Sequence, residues 1–293
     1  MFPVVDEVQV SDQLTQSFVR ESEFNTVGVE LLKEAASYLT ISCNIYPPSK
    51  VWNKRQAAIG GSGVRVFKLV SAYLDQTCQN RREISEILSR LIFETAVTIR
   101  YLVAHQNPEV IESFVKYALR FERELWDEIQ RNIKKRSGVI TPIEDRMLQS
   151  ITRASMRSGY SIEDIDLKDR SNWAGKNLYQ KSKEVGWDKL YLASFGGMSN
   201  AVHGSWTDLY GHHLRSADNG SYTGTFDWSI PRPQSIFAMI RLVAQVSADL
   251  FHYFGGEAVT EHFEPMILSI FDRTTSLTDG HERYLANKTW PEI

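Results

Sequence analysis

Almost every stretch of this chain repeats its apolar residues at intervals of three and four, the spacing that gathers them on one face of a helix. The alternation that marks a half-buried strand is nearly absent. A chain patterned this way buries its apolar stripes by packing helix on helix. The expected fold is therefore all-α: a multi-helix bundle with one long irregular loop at about 216–233. With 293 residues, 42% of them hydrophobic, the chain can build a substantial core.

Punctuation divides the pattern. A long first helix is expected over 12–45, ending before Pro47-Pro48. Gly60-Gly61-Ser62-Gly63 reads as a flexible joint between an N-terminal helical region (1–60) and a main helical domain (61–293), although one continuous domain satisfies the same pattern. Further helices are expected over 64–79, 82–106 and 108–135. Thr141-Pro142-Ile143-Glu144 carries a capping threonine, a first-turn proline and the glutamate of a capping box, and that helix should end near Ser158-Gly159. Helices follow over 172–184 and 187–214, the second bent at Gly196-Gly197, and two more over 233–254 and 258–278. Between them the stretch 216–233 breaks the pattern while keeping Tyr222, Phe226 and Trp228 as apolar anchors. Loops of that length serve as binding loops or lids, and this one also allows a short hairpin.

Composition excludes several classes. A formal net charge of −3 and a pI near 6.2 do not fit a strongly basic nucleic-acid-binding chain, though a local basic patch is compatible with them. Cys43 and Cys78 form neither a disulfide framework nor a zinc pattern, and two free thiols suit a reducing cytoplasm. The acidic start lacks the basic region of a secretory signal. The most apolar helix, 235–254, carries Arg241 and Asp249 and reads as a core helix, so a soluble cytoplasmic protein without a membrane span is expected.

Two polar constellations interrupt otherwise apolar helical faces. Arg90-x-x-x-Glu94 and Ser199-x-x-x-His203 each place two polar groups one turn apart. Arg90 can hold an anion or phosphate while Glu94 positions it, and His203 can act as acid or base with Ser199 orienting it. The competing reading is structural: an intrahelical ion pair, and a histidine satisfied by a serine. No aspartate completes a hydrolase triad. Asp208, His212 and His213 stand at no standard metal spacing from His203, so neither a metal nor a cofactor is expected. Gly60–Lys68 lacks the ending of a phosphate-binding loop, and Lys134-Lys135-Arg136 is a helix C-terminal charge cluster. Arg100-Tyr-Leu-Val-Ala-His105 resembles the arginine–histidine pattern of the HEPN ribonucleases, which implies metal-free action on RNA phosphate, with Arg100 and His105 as a second binding pair.

The order Arg90, Glu94, then Tyr191, Ser199 and His203, resembles the DUF5677 family of helical proteins over roughly 82–214. Tyr191 stands eight residues before Ser199, where a spacing of about four is expected. The resemblance implies an all-helical fold, a cytosolic bacterial or phage-related protein, and a site shared by these residues. Two function classes follow. One is a metal-independent ribonuclease, in the context of a toxin or antiphage effector. The other is a non-catalytic scaffold or sensor that binds a small anionic ligand or a protein partner. Homodimerisation through an apolar helix is compatible with both.

Overall fold

The computed structural model describes residues 2–45, 51–167, 172–191, 201–217 and 220–289. In chain order the helices are α1 (Asp12–Gln16), α2 (Glu21–Asn44), α3 (Lys54–Cys78), α4 (Arg82–Ala104), α5 (Pro108–Ala118), α6 (Arg120–Lys135), α7 (Pro142–Ser158), α8 (Leu178–Glu184), α9 (Asp188–Tyr191), α10 (Trp206–Asp208), α11 (Pro233–Leu250) and α12 (Glu257–Ala286). Short 3-10 turns occupy Ile162–Asp164 and Trp173–Gly175, and π-helical turns occupy Leu209–His213 and Phe251–Gly255. The only sheet among the described residues is a hairpin of β1 (Leu214–Ser216) and β2 (Tyr222–Gly224), with Leu214 opposite Gly224 and Ser216 opposite Tyr222. The fold is all-α, with the hairpin set into the irregular stretch.

Two compact units are present, one of Met1–Ala104 with Ser182–Ile293 and the other of His105–Lys181. Neither boundary lies near residue 60, because α3 runs unbroken through Gly60–Gly63. Asn53 starts it early: its side chain accepts from the Gln56 amide at 2.9 Å, and Gln56 returns the bond to the Asn53 amide at 3.1 Å. Gly60 and Gly63 serve contact rather than bending. A Cβ on Gly60 would lie 2.6 Å from the Trp52 ring, and one on Gly63 would lie 2.9 Å from both Cys43 Sγ and Leu250 Cδ1. Close packing thus overrides their low helix propensity.

In the first unit α11 is the central helix, packed against α2, α3, α4 and α12. Ile236, Met239, Ile240, Val243, Val246 and Leu250 are buried along it. Each such side chain contributes about 1.5–3 kcal/mol by leaving water. The helical span Pro233–Gly255 is long and apolar enough to cross a membrane by composition, yet most of it is buried in the unit. Its charged residues are also engaged, Arg241 with the Thr275 hydroxyl at 2.9 Å and Asp249 with Arg100. The expected first helix is two: Ser11 caps α1, the chain opens at 17–20, and Glu23 reaches back to accept from the Val19 and Arg20 amides at 2.7 and 2.8 Å.

The second unit packs α5, α6 and α7 around Leu119, Ile129, Ile151, Ile162 and Ile165. Its α7 begins with the capping box read from the sequence and ends at Gly159, whose φ of 72° is the left-handed C-cap geometry that glycine adopts freely. The expected helix over 108–135 is interrupted at Leu119, separating α5 from α6.

Candidate functional site

The site is organised by α4. One side of this helix is core: Ser85, Ser89, Ile92, Phe93, Ala96 and Ile99 are buried. Glu83, Glu86, Arg90 and Glu94 follow one another at offsets of three, four and four, so they form a continuous polar stripe. Within it the Arg90 Nε donates to Glu94 Oε1 at 3.2 Å, and the Arg82 Nε donates to Glu86 Oε1 at 2.6 Å.

The stripe is overlaid by chain from more than a hundred residues later. Residues 201–203 are helical, and His203 Nε2 lies 3.2 Å from Arg90 Nη1. A guanidinium only donates, so this geometry makes the ring nitrogen the acceptor and puts the proton of a neutral imidazole on Nδ1. His203 itself is exposed, whereas the Arg90 side chain is largely covered. Arg90, Glu94 and His203 are therefore brought together. Ser199 lies outside the described residues. Tyr191, the last residue of α9, packs its ring against Phe93 with centroids 6.3 Å apart.

Further along the stripe, toward the start of α4, His212 takes over. Its Nδ1 stands 3.1 Å from the Ser229 hydroxyl and 3.4 Å from Glu83 Oε1, while its Nε2 is 3.9 Å from Glu86 Oε2. The Ser229 amide donates to Glu83 Oε1 at 3.0 Å, and the Arg82 amide donates to the Ser229 carbonyl at 3.1 Å. Burial pushes the Glu83 carboxyl up, but the hydrogen bonds it receives and the nearby His212 outweigh this and hold it below the ordinary carboxylate value. Glu83 Oε2 is buried with no hydrogen-bond partner among the described residues. His213 turns instead to Asp208 at 3.5 Å. Among the described residues no group of three histidine, cysteine or carboxylate side chains is arranged to hold a metal ion.

Nine residues separate His203 from His212, a spacing that puts them on different faces of a regular α-helix. Both nevertheless reach the same stripe of α4, because the intervening chain turns at Gly204 and then adopts the short α10 and a π-helical turn. Glu83, Glu86, His212 and Ser229 are site residues that sequence reasoning missed. The offsets of the two glutamates were readable on α4, but their partners were not.

Arg100 has a different environment. Its Nη1 lies 3.4 Å from each carboxylate oxygen of Asp249, and its guanidinium sits over the Trp187 ring at 5.0 Å. It fastens α4 to α11. Burial pushes the Asp249 carboxyl above its ordinary value, an effect that Arg100 and Gln245 reduce. His105 belongs to the second unit.

A family model described as a family of unknown function (DUF5677) matches residues 56–222, more than half of the chain. The match begins within α3, takes in Arg90, Glu94 and His203, and excludes α2, α11 and α12. No curated protein and no solved structure matches the chain.

Proposed function

The chain belongs to the DUF5677 family, and we propose that the α4 stripe with its overlay binds a phosphodiester and makes this protein a metal-independent ribonuclease. The observation that carries the reading is the 3.2 Å approach of Arg90 to His203, with Glu94 holding the same guanidinium. It puts an oriented cation beside an imidazole whose geometry is that of a proton acceptor, at an edge that solvent reaches. In the proposed reaction a phosphate takes the place of the direct Arg90–His203 contact. His203 removes the proton of the ribose 2′-hydroxyl, and the oxygen attacks the adjacent phosphorus. Arg90 neutralises charge on the equatorial oxygens. The bond to the 5′ oxygen breaks, and His212 supplies its proton, leaving a cyclic phosphate and a free 5′-hydroxyl. Glu83 and Glu86 face the His212 ring as carboxylates orient an imidazole in other acid–base sites. Acid, base and cation are all side chains, so the reading asks for no metal. A bacterial cytosolic toxin or antiphage effector is a context that suits it.

The test is cleavage of RNA by the purified protein in EDTA, beside Arg90→Ala, His203→Ala and His212→Ala, with circular dichroism on each. The expected loss is about 10²–10⁴-fold for either histidine. A folded wild-type protein that leaves RNA intact sinks the reading. One observation favours a second reading. Arg90 is satisfied by Glu94 and His203, and Glu83 by Ser229, which also fits a non-catalytic clamp holding the overlay on α4. Marked loss of stability in the three variants, beside a folded wild-type protein that leaves RNA intact, would select it.

A further inference from the structure

Immediately after His203 the overlay becomes rich in exposed aromatic rings. Trp206, Tyr210, Tyr222, Phe226 and Trp228 are all exposed, Phe226 almost completely at 98%. Three of them are ordered relative to one another. Tyr222 on β2 is the hub, with Trp206 edge-on at 5.5 Å and Tyr210 edge-on at 6.3 Å. The strand register fixes Tyr222 opposite Ser216. At the other end the Arg81 guanidinium lies over the Trp228 ring at 5.5 Å, and Arg215 on β1 pairs with Asp227. Exposing this much aromatic surface is costly for a folded chain unless something covers it.

We infer that these rings are a stacking platform for the bases of a single-stranded nucleic acid whose phosphate is held at Arg90 and His203. The inference rests on the ribonuclease reading and adds to it a substrate class. Three observations point to this occupant. The exposed groups are mainly flat rings, and every base has a π-face to lay on them. Of the two guanidinium groups beside the rings, Arg215 is offset by Asp227, while Arg81 at Trp228 suits a backbone phosphate. The platform is also continuous with the phosphate site: Trp206 is three residues from His203, so their Cα atoms are at most about 11 Å apart. Nucleotides flanking a phosphate at Arg90 are therefore within reach of the rings. A duplex keeps its bases stacked on one another and cannot offer them.

The test is fluorescence anisotropy with a labelled 2′-O-methyl RNA 12-mer, which binds without being cleaved. It is run beside the same sequence as a duplex and an abasic strand of equal length, on the full chain and on Trp206→Ala, Tyr222→Ala and Phe226→Ala. Binding of the single strand that each substitution weakens about 5- to 150-fold, with the duplex and abasic strand weaker still, is the expected result. Phe226 is so exposed that its replacement leaves the fold undisturbed, which keeps the test decisive if Tyr222→Ala unravels the hairpin. Equal binding by wild type and variants, equal binding of the abasic strand, or no binding of RNA with sedimentation on anionic vesicles instead, overturns the inference. Cleavage separates it from its premise. Base-dependent binding without cleavage of ordinary RNA refutes the ribonuclease reading and leaves the platform standing. Cleavage indifferent to the three ring substitutions refutes the platform alone.

Discussion

Arg273 and Glu34 meet inside the first unit, while Arg90 and Glu94 meet at its edge. The inner pair is bidentate, with Nη1 and Nη2 of Arg273 donating to the two Glu34 oxygens at 2.6 and 2.7 Å, and both side chains are nearly inaccessible, at 9% and 2%. Its remaining capacity goes to the chain itself. The Val8 amide donates to Glu34 at 2.8 Å and Arg273 donates to the Val8 carbonyl at 2.8 Å, tying the N-terminal segment across α2 and α12. The outer pair is a single 3.2 Å contact with 37% of the Glu94 side chain exposed, and its arginine turns to an exposed histidine. Both are arginine–glutamate pairs, but the inner one is bidentate and the more deeply buried. A buried bidentate pair serves the fold, whereas the outer pair lies beside a histidine that solvent reaches.

The largest effect expected from this contrast is at the inner pair. Arg273→Met leaves Glu34 as an uncompensated buried charge and should cost about 3–5 kcal/mol in urea denaturation. The double change Glu34→Leu with Arg273→Met should recover most of that loss. A cost below about 1 kcal/mol for the single change would erase the distinction between the pairs. Next comes the packing that encloses the inner region. Gly63→Ala forces a methyl against Cys43 and Leu250 and should cost about 1–3 kcal/mol, whereas Gly61→Ala, with nothing within 4 Å, should gain about 0.4–1 kcal/mol. Equal melting shifts for the two would mean that contact does not hold α3 straight.

The stripe of α4 also predicts a pH dependence. The folded Glu83 carboxyl titrates below its ordinary value of 4.5, so its contribution is present above that pH and is lost as the pH falls through the lowered value. Glu83→Gln should cost about 0.5–1.5 kcal/mol at neutral pH and flatten the acid limb of the stability curve. An unchanged slope would remove Glu83 as its source. The smallest stability effect is expected at the outer pair itself. Arg90→Ala should cost about 1 kcal/mol in the same denaturation, because its partner carboxylate Glu94 stays partly solvated, while removing RNA cleavage. A loss comparable to that of Arg273→Met would make Arg90 a clamp like its inner counterpart.

Much of this was legible in advance, for local reasons. The helices α4, α7 and α11 follow from apolar spacing, a capping box and proline placement, all of which act within a few residues. Arg90 and Glu94 could be paired on sight because four residues make one turn. Other features failed for equally physical reasons. Gly60–Gly63 looked like a joint because glycine is a poor helix former, and only Trp52, Cys43 and Leu250 reveal that absent side chains are what the packing needs. Arg100 looked like half of a motif, yet its neighbours in the unit are Asp249 and Trp187.

The sequence by itself determined which faces of each helix are apolar and where a polar stripe interrupts them, because helix geometry converts spacing into faces with no further information. It did not determine what meets that stripe. His203 lies 113 residues from Arg90, and Ser229 lies 146 residues from Glu83. Pairings at such separation carry no periodic signal, since they depend on how whole helices pack and on a π-helical turn and a hairpin that re-aim the chain between them. Tertiary structure alone decided that two histidines on different faces of one predicted helix would converge on α4.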